Sequence, residues 1–286
     1  MIRRNNYIAI LVLAALCLWG WPAWAEPVDD LTLMTESLPP LNFEQNGMLK
    51  GISVDLMAEM LRMVGSRLTR GDIHLMPWAR AYRDILKNEN TVLFLMNRNQ
   101  ARENLFKWVG PVINIDCVLI AKKEKGIRIN STDDLKNYRI GVIKKDFGEL
   151  LMEEMGISSD NIDSVSSVEI NLEKLNRGRI DLWNYETNCA KWLITRHGYN
   201  VQDYEIVYTL KKYLPAFFAF HRNTKDGIIQ RFQDALDQLK TKPSETGLSK
   251  LDRIVQIYIK KDGTGIATVH PPDLLPPSNG PTTPVP

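Results

Sequence analysis

The 286-residue chain holds three cysteines and four histidines. No two cysteines form a C-x-x-C pair and the histidines are scattered, so neither a thiol redox motif nor a structural zinc site is written into it. After residue 25 no hydrophobic run is long enough to cross a bilayer, which takes about 20 apolar residues. An excess of one charge is also missing. Lys and Arg number 36 against 34 Asp and Glu, and removal of Arg3 and Arg4 makes the two counts equal. That balance argues against nucleic acid or an anionic lipid surface as a partner, since readers of either carry basic patches.

What is present begins with a targeting pattern. Arg3 and Arg4 precede a run of twelve apolar residues from Ile8 to Trp19, and Ala23-Trp24-Ala25 supplies a small-x-small cleavage site. The run is too short to span a membrane, and Pro22 interrupts its continuation. Residues 1–25 are therefore expected to be a signal peptide, cleaved after Ala25. Leu16 stands where a lipid-attachment site at Cys17 would need a small residue. The mature chain keeps Cys117 and Cys189, which can either pair in an oxidising compartment or stay as buried thiols.

Strands and helices then alternate. Leu31 to Thr35 predicts a strand, and Val54, Met57, Leu61 and Val64 fall on one face of a helix with Ser53 as N-cap and Gly65 as its stop. A strand at 72–78, a helix at 79–88 and a buried strand at 91–96 follow. The pattern repeats with a strand at 117–123, a helix at 147–156 and an apolar strand after Gly178. A helix at 189–198, a strand at 214–222 and an amphipathic helix at 227–242 complete it. Such alternation predicts an α/β sheet with parallel elements, in two lobes. The last 24 residues contain seven of the 15 prolines, so 263–286 is expected to be a flexible tail.

Four stretches, in order, resemble the bacterial extracellular solute-binding proteins of family 3, the amino-acid-type periplasmic receptors of ABC importers. They are "ESLPPLNFEQNGMLKGISVDLMAEM" (36–60), "QARENLFKWVGPV" (100–112), "DLKNYRIGVIKKDFGELL" (134–151) and "LNRGRIDLWNYE" (175–186). The resemblance implies a type II periplasmic binding protein fold: two lobes, two crossover strands and a ligand cleft between the lobes. By analogy one lobe is 30–112 plus 215–262 and the other 113–214. It also implies a periplasmic location, a small-molecule ligand, a membrane permease as partner, a monomeric state and no cofactor. "PWARA" (77–81) is similar to a subgroup whose ligands are poorly defined.

The resemblance also implies roles. In the family, an arginine six residues before the aromatic of the apolar stretch holds a ligand carboxylate, and Arg102 stands six before Trp108. A guanidinium matches a carboxylate through two parallel charge-assisted hydrogen bonds, worth about 1.5–3 kcal/mol each. Asn99 replaces the usual threonine three residues earlier. Glu186 stands where the family carries an acid for the ligand's amino group; on its own residues it is equally an acid favoured by a helix N-terminus near Thr187.

Departures are visible as well. Lys145-Asp146-Phe147 takes the place of the family's hydroxyl-bearing anion loop, and Asp146 would repel a carboxylate. Leu38 replaces the stacking aromatic, leaving Trp78, Trp183 and Tyr185 to provide an aromatic wall. Alternation puts Trp183 and Tyr185 on one face and Asn184 and Glu186 on the other, so both sets line a cleft only if the strand ends first. Arg80 is either a second anion contact or a solvent-facing helix residue. The leading expectation is a non-catalytic receptor for a zwitterionic or acidic solute. A cleft enzyme of the cyclohexadienyl dehydratase type, with Glu186 as general acid, and a sensing module for a membrane partner are the alternatives.

Overall fold

The computed structural model describes residues 28–245, 247–261 and 267–269. The expected signal peptide and nearly all of the Pro-rich tail lie outside the described residues. In chain order, the strands are β1 (Thr32–Thr35), β2 (Phe43–Gln45), β3 (Met48–Lys50), β4 (Ile73–Leu75), β5 (Thr91–Asn97), β6 (Phe106–Lys122), β7 (Ile140–Ile143), β8 (Ile162–Val165), β9 (Leu182–Tyr185), β10 (Tyr204–His221), β11 (Ile259–Lys261) and β12 (Ala267–Val269). The helices are α1 (Ile52–Met63), α2 (Trp78–Lys87), α3 (Phe147–Glu154), α4 (Val168–Asn176), α5 (Thr187–Arg196), α6 (Asp226–Lys240) and α7 (Lys250–Tyr258).

Eight strands make one sheet in the order β4-β1-β5-β10-β6-β9-β7-β8. β1 is parallel to both β4 and β5, and β7 is parallel to β8 and β9. Every residue of β5 is buried, as expected for a parallel strand covered on both faces. The long strands β6 and β10 are the exception, running antiparallel to each other across the middle. β10 pairs with β5 only through Ala216–Phe220, while β6 pairs with β9 only through Val118–Ile120. Each long strand thus begins in one half of the sheet and ends in the other. These are the two crossover strands of a two-lobed α/β fold. Where the lobes meet, β10 is bulged between Lys211 and Leu214, and Tyr213 takes a left-handed φ of 54°.

Several boundaries differ from those the sequence predicts. α1 starts at Ile52 after Gly51, and Ser53 lies inside the helix, donating through Oγ to the Leu41 carbonyl at 3.2 Å. Gly51 has a φ of 123°, and a Cβ there would sit 2.8 Å from the Asn42 amide nitrogen, so only glycine fits. The strands expected at 117–123 and 214–222 are the ends of the two long crossovers. The turn-like stretch 36–51 contains the β2–β3 hairpin. Its Phe43 packs at a tilt against Trp192 of α5, with ring centroids 5.0 Å apart. The methionines Met57 and Met60 are fully buried core residues. Among the described residues, no helix is long and apolar enough to cross a membrane.

Candidate ligand cleft

Strand ends and helix starts from both halves of the sheet surround a cavity with about 530 Å³ of empty space, part of it open to solvent. The β1 side contributes Glu36 and Leu38, just past that strand. Leu95 and Asn97 come from β5. Ile115, Asp116, Cys117 and Leu214 come from the crossovers, and Asp146, Asn184, Tyr185 and Glu186 from the opposite lobe. Four carboxylates therefore reach one gap, while its wall carries no Lys or Arg.

Three of the four acids are held by local structure. Glu186 is the N-cap of α5, accepting from the Cys189 amide at 2.7 Å and from Asn188 Nδ2 at 3.1 Å. Glu186 thus caps the helix and lines the cavity at once. Asp146 caps α3. Asp116 accepts from the backbone N–H of Tyr213 at 3.0 Å, at the β10 bulge. Glu36 makes no hydrogen bond or ion pair through its carboxylate among the described residues. Burial pushes the Glu36 carboxyl well above its ordinary range, Asp146 adds to this, and Arg102 opposes it. Burial likewise raises Asp146, against the Phe147 amide and Arg102. Glu186 is raised by burial, with the Cys189 amide pulling the other way.

Arg102 is 2 % exposed but is not on the cavity wall. Its guanidinium lies 5.1 Å from the Tyr82 ring centroid and 5.7 Å from that of Trp78. Nη1 donates to the Asn97 carbonyl at 3.4 Å, while Nε and Nη2 are buried without a partner. The acids that feel its charge are Glu36 and Asp146, not the expected Glu186. Asn99 accepts from the Arg102 amide through its side chain at 2.9 Å, so it shapes the loop that presents the arginine.

The other expected residues divide. Trp78 is 2 % exposed and donates from Nε1 to the Lys145 carbonyl in the opposite lobe at 2.8 Å. Tyr185 lines the cavity with its hydroxyl unpartnered, and Trp183 stacks behind it at 4.9 Å. β9 ends at Tyr185, which lets Asn184, Tyr185 and Glu186 all face the gap despite strand alternation. Arg80 is exposed, sits 3.7 Å from Asp84, and lines a separate surface depression. Cys117 and Cys189 are both free and buried, and burial raises the Cys117 thiol to about 12. Among the described residues, no group of three His, Cys, Asp or Glu is placed to hold a metal ion.

The model of the bacterial extracellular solute-binding proteins, family 3, matches residues 31–252. The chain belongs to this family. No curated protein matches it by sequence. Among solved structures, it is similar to an ancestral arginine-binding protein bound to arginine, at 17 % identity and a TM-score of 0.64, covering 79 % of this chain and 96 % of that one. A histidine-bound ABC uptake transporter substrate-binding protein from Streptococcus pneumoniae gives 16 % identity and a TM-score of 0.66, covering 80 % and 92 %. A histidine kinase sensor domain with similarity to periplasmic binding proteins gives 15 % identity and 0.65, covering 73 % and 90 %. The fold is that of the type II periplasmic binding proteins, and the family assigns a solute-binding role.

For a family 3 protein, the cleft has three wall residues that sequence reasoning missed: Glu36, Asn97 and Asp116. Glu36 follows directly on β1, and Asn97 is the last residue of β5. A polar residue ending a buried strand was the available signal. Asp116 lies mid-strand in a crossover, where nothing local marks it.

Proposed function

We propose that the protein is an exported receptor that closes its two lobes on a small solute bearing an ammonium group, an amino acid or a similar compound. It then presents the closed form to the membrane permease of an ABC importer. The signal peptide at 1–25 and lobes of about 30–112 plus 215–262 and 113–214 belong to this reading. The observation that carries it is the inter-lobe cavity itself, whose wall combines four carboxylates with the unpartnered Tyr185 hydroxyl and Asn97 amide. Ammonium groups neutralise such a wall, whereas a purely acidic solute meets repulsion on every side. Arg102, buried behind this wall with Nε and Nη2 unpartnered, would hold a solute's carboxylate only once the wall opens to it. Closure is driven by the solute's preference for the closed form over the open one.

The likeness to a kinase sensor domain supports a second reading, in which the closed form reports the solute to a membrane partner. The Glu186 carboxylate is engaged in capping α5, which argues against its use as a general acid. The test is a thermal-shift screen of the mature protein against amino acids and amines, followed by uptake of the stabilising solute in cells with and without the gene. Loss of uptake supports import. Intact uptake with loss of a solute-induced response supports sensing, and absence of any stabilising solute overturns both.

A further inference from the structure

A second cavity lies between the lobes, with about 620 Å³ of empty space, part of it open to solvent. It lies against Trp78 and is lined from one lobe by Ser37, Met76 and Pro77, and from the other by Ser167, Val168 and Glu169. Glu36 and Ile143 line both cavities, so the two chambers meet at these side chains. Glu36 is the shared carboxylate, without a hydrogen bond of its own among the described residues. Glu169 provides a second acid in the outer chamber, accepting from the Ser167 hydroxyl there.

The walls combine acids with apolar side chains. Asp116, Asp146 and Glu186 line the inner chamber alone, Glu36 lines both chambers and Glu169 lines the outer one. The apolar lining comprises Leu38, Leu95, Ile115 and Leu214 in the inner chamber, Ile143 in both, and Leu75 and Met76 in the outer one. Neither chamber has a Lys or Arg on its wall. Apolar walls suit methylene groups, and the acids, of which Glu186 is buried and Glu36, Asp116, Asp146 and Glu169 are half-buried, attract cationic partners. Two side chains on the inner wall are more than nine-tenths buried and have polar atoms without a partner, the Tyr185 hydroxyl and Asn97 Nδ2. The Tyr185 hydroxyl can accept from an ammonium N–H, whereas Asn97 Nδ2 is a donor and is met by water or an acceptor, not by an ammonium group.

We propose that the cleft takes an elongated organic dication, two ammonium groups joined by a methylene chain, with one end in each chamber. This rests on the receptor reading above and narrows it, because no carboxylate on the ligand is required. Glu169 then selects for length and for the second charge, while Asp116 and Glu186 hold the first. A solute with one ammonium group fills only the inner chamber.

The test is calorimetric titration and thermal shift of the mature full chain with putrescine, cadaverine and spermidine, against butylamine, L-lysine and L-glutamate. The diamines are expected to bind at least about tenfold tighter than butylamine, the scale of one charge-assisted hydrogen bond. Lysine, which adds a carboxylate to the same dication, is expected to bind no tighter than cadaverine. Glu169→Gln is expected to weaken the diamines and leave butylamine unchanged, with an unaltered melting temperature showing that the fold is intact. Butylamine equal to the diamines, lysine tighter than cadaverine, or no effect of Glu169→Gln overturns the dication. Stabilisation by amino acids with none by diamines overturns the dication and leaves the receptor standing. Silence across the whole panel overturns both.

Discussion

The indole Nε1 of Trp78 and the carbonyl oxygen of Lys145 are 2.8 Å apart, one in each lobe. Lys145 takes a left-handed φ of 62°, which turns its carbonyl region out of β7 ahead of α3. This bond ties the two lobes together beside the outer chamber and steadies the ring on which Arg102 stacks. Trp78→Phe keeps an aromatic ring and deletes the donor. A hydrogen bond of this kind contributes about 0.5–1.5 kcal/mol net, so the closed form should lose roughly two- to tenfold in population. Solution scattering is expected to show a larger radius for the ligand-free variant, and ligand affinity should fall by the same factor. An unchanged radius and affinity would show that the bond plays no part in closure.

Gly148 and Asn184 offer a sharper probe of the inner wall. A Cβ on Gly148 would run into Asn184 Oδ1, whereas one on Gly141 would sit 2.6 Å from Asn171 Oδ1, away from the cavity. Asn184 also donates to the Cys117 sulfur at 3.2 Å, so displacing it disturbs three cavity residues at once. Overpacking of this kind costs about 1–3 kcal/mol, or roughly 2–12 °C in melting temperature for a chain this size. Gly148→Ala is expected to lose both stability and ligand affinity, and Gly141→Ala stability alone. Calorimetric melting and titration of the two variants separate these outcomes; equal affinities would remove Asn184 from the site.

Stability should fall as pH rises from the ordinary carboxyl range towards neutrality. Glu36, Asp146 and Glu186 hold their protons more tightly in the folded chain than in the unfolded one, chiefly through burial. Arg102 opposes this at Glu36 and Asp146, while Glu149 reinforces it at Asp146 and Asp116 at Glu186. Between the unfolded and folded values the native state binds more protons, so the slope of stability with pH is negative there. At lower pH the sign reverses. Asp29, held at about 2 by Ser66 and Arg67, and Glu59, lowered by Lys250, lose their stabilisation as they protonate. Melting temperatures between about pH 3 and 8 should therefore peak in mild acid, and a bound amine should flatten the neutral side. A ligand-free profile rising steadily to neutrality would contradict the burial of these acids.

Much of this architecture is legible from spacing alone. The apolar run of β5 and the Met57/Met60 face of α1 follow from local periodicity, because burial there is set by neighbours in sequence. Arg102 is marked only by its resemblance to the family's arginine, and the structure buries it behind the cavity wall. The rest depends on distant pairing. β6 and β10 are single strands of 17 and 18 residues only because each pairs across both lobes, which no window of either segment reveals. The acids that act on Arg102 went unseen for the same reason. Glu36 and Asp146 are brought to it by three different strand ends, while Glu186, matched by position, is turned towards Asp116 and the cap of α5. Ser53 failed as a cap because Gly51 alone can approach the Leu41 backbone.

Arg102 separates the two kinds of ligand that an acidic cleft could hold. Its Nε and Nη2 are buried and unpartnered, and leaving buried donors unsatisfied costs about 1–3 kcal/mol each. Arg102→Met keeps a long, flexible chain against the rings of Trp78 and Tyr82 while deleting those donors and the charge. The folded ligand-free variant should be no less stable than the parent, and Glu36 and Asp146 will hold their protons to higher pH without the opposing cation. A ligand recognised through its ammonium groups gains from the loss of a nearby positive charge, so diamine affinity should stay or rise at neutral pH and above. A ligand recognised through a carboxylate loses a bidentate partner and should weaken by tenfold or more, on the order of one charge-assisted bond. Titrating cadaverine and lysine into this one variant reads both signs, and a large loss for cadaverine would mean that Arg102 orders the cleft for amines as well.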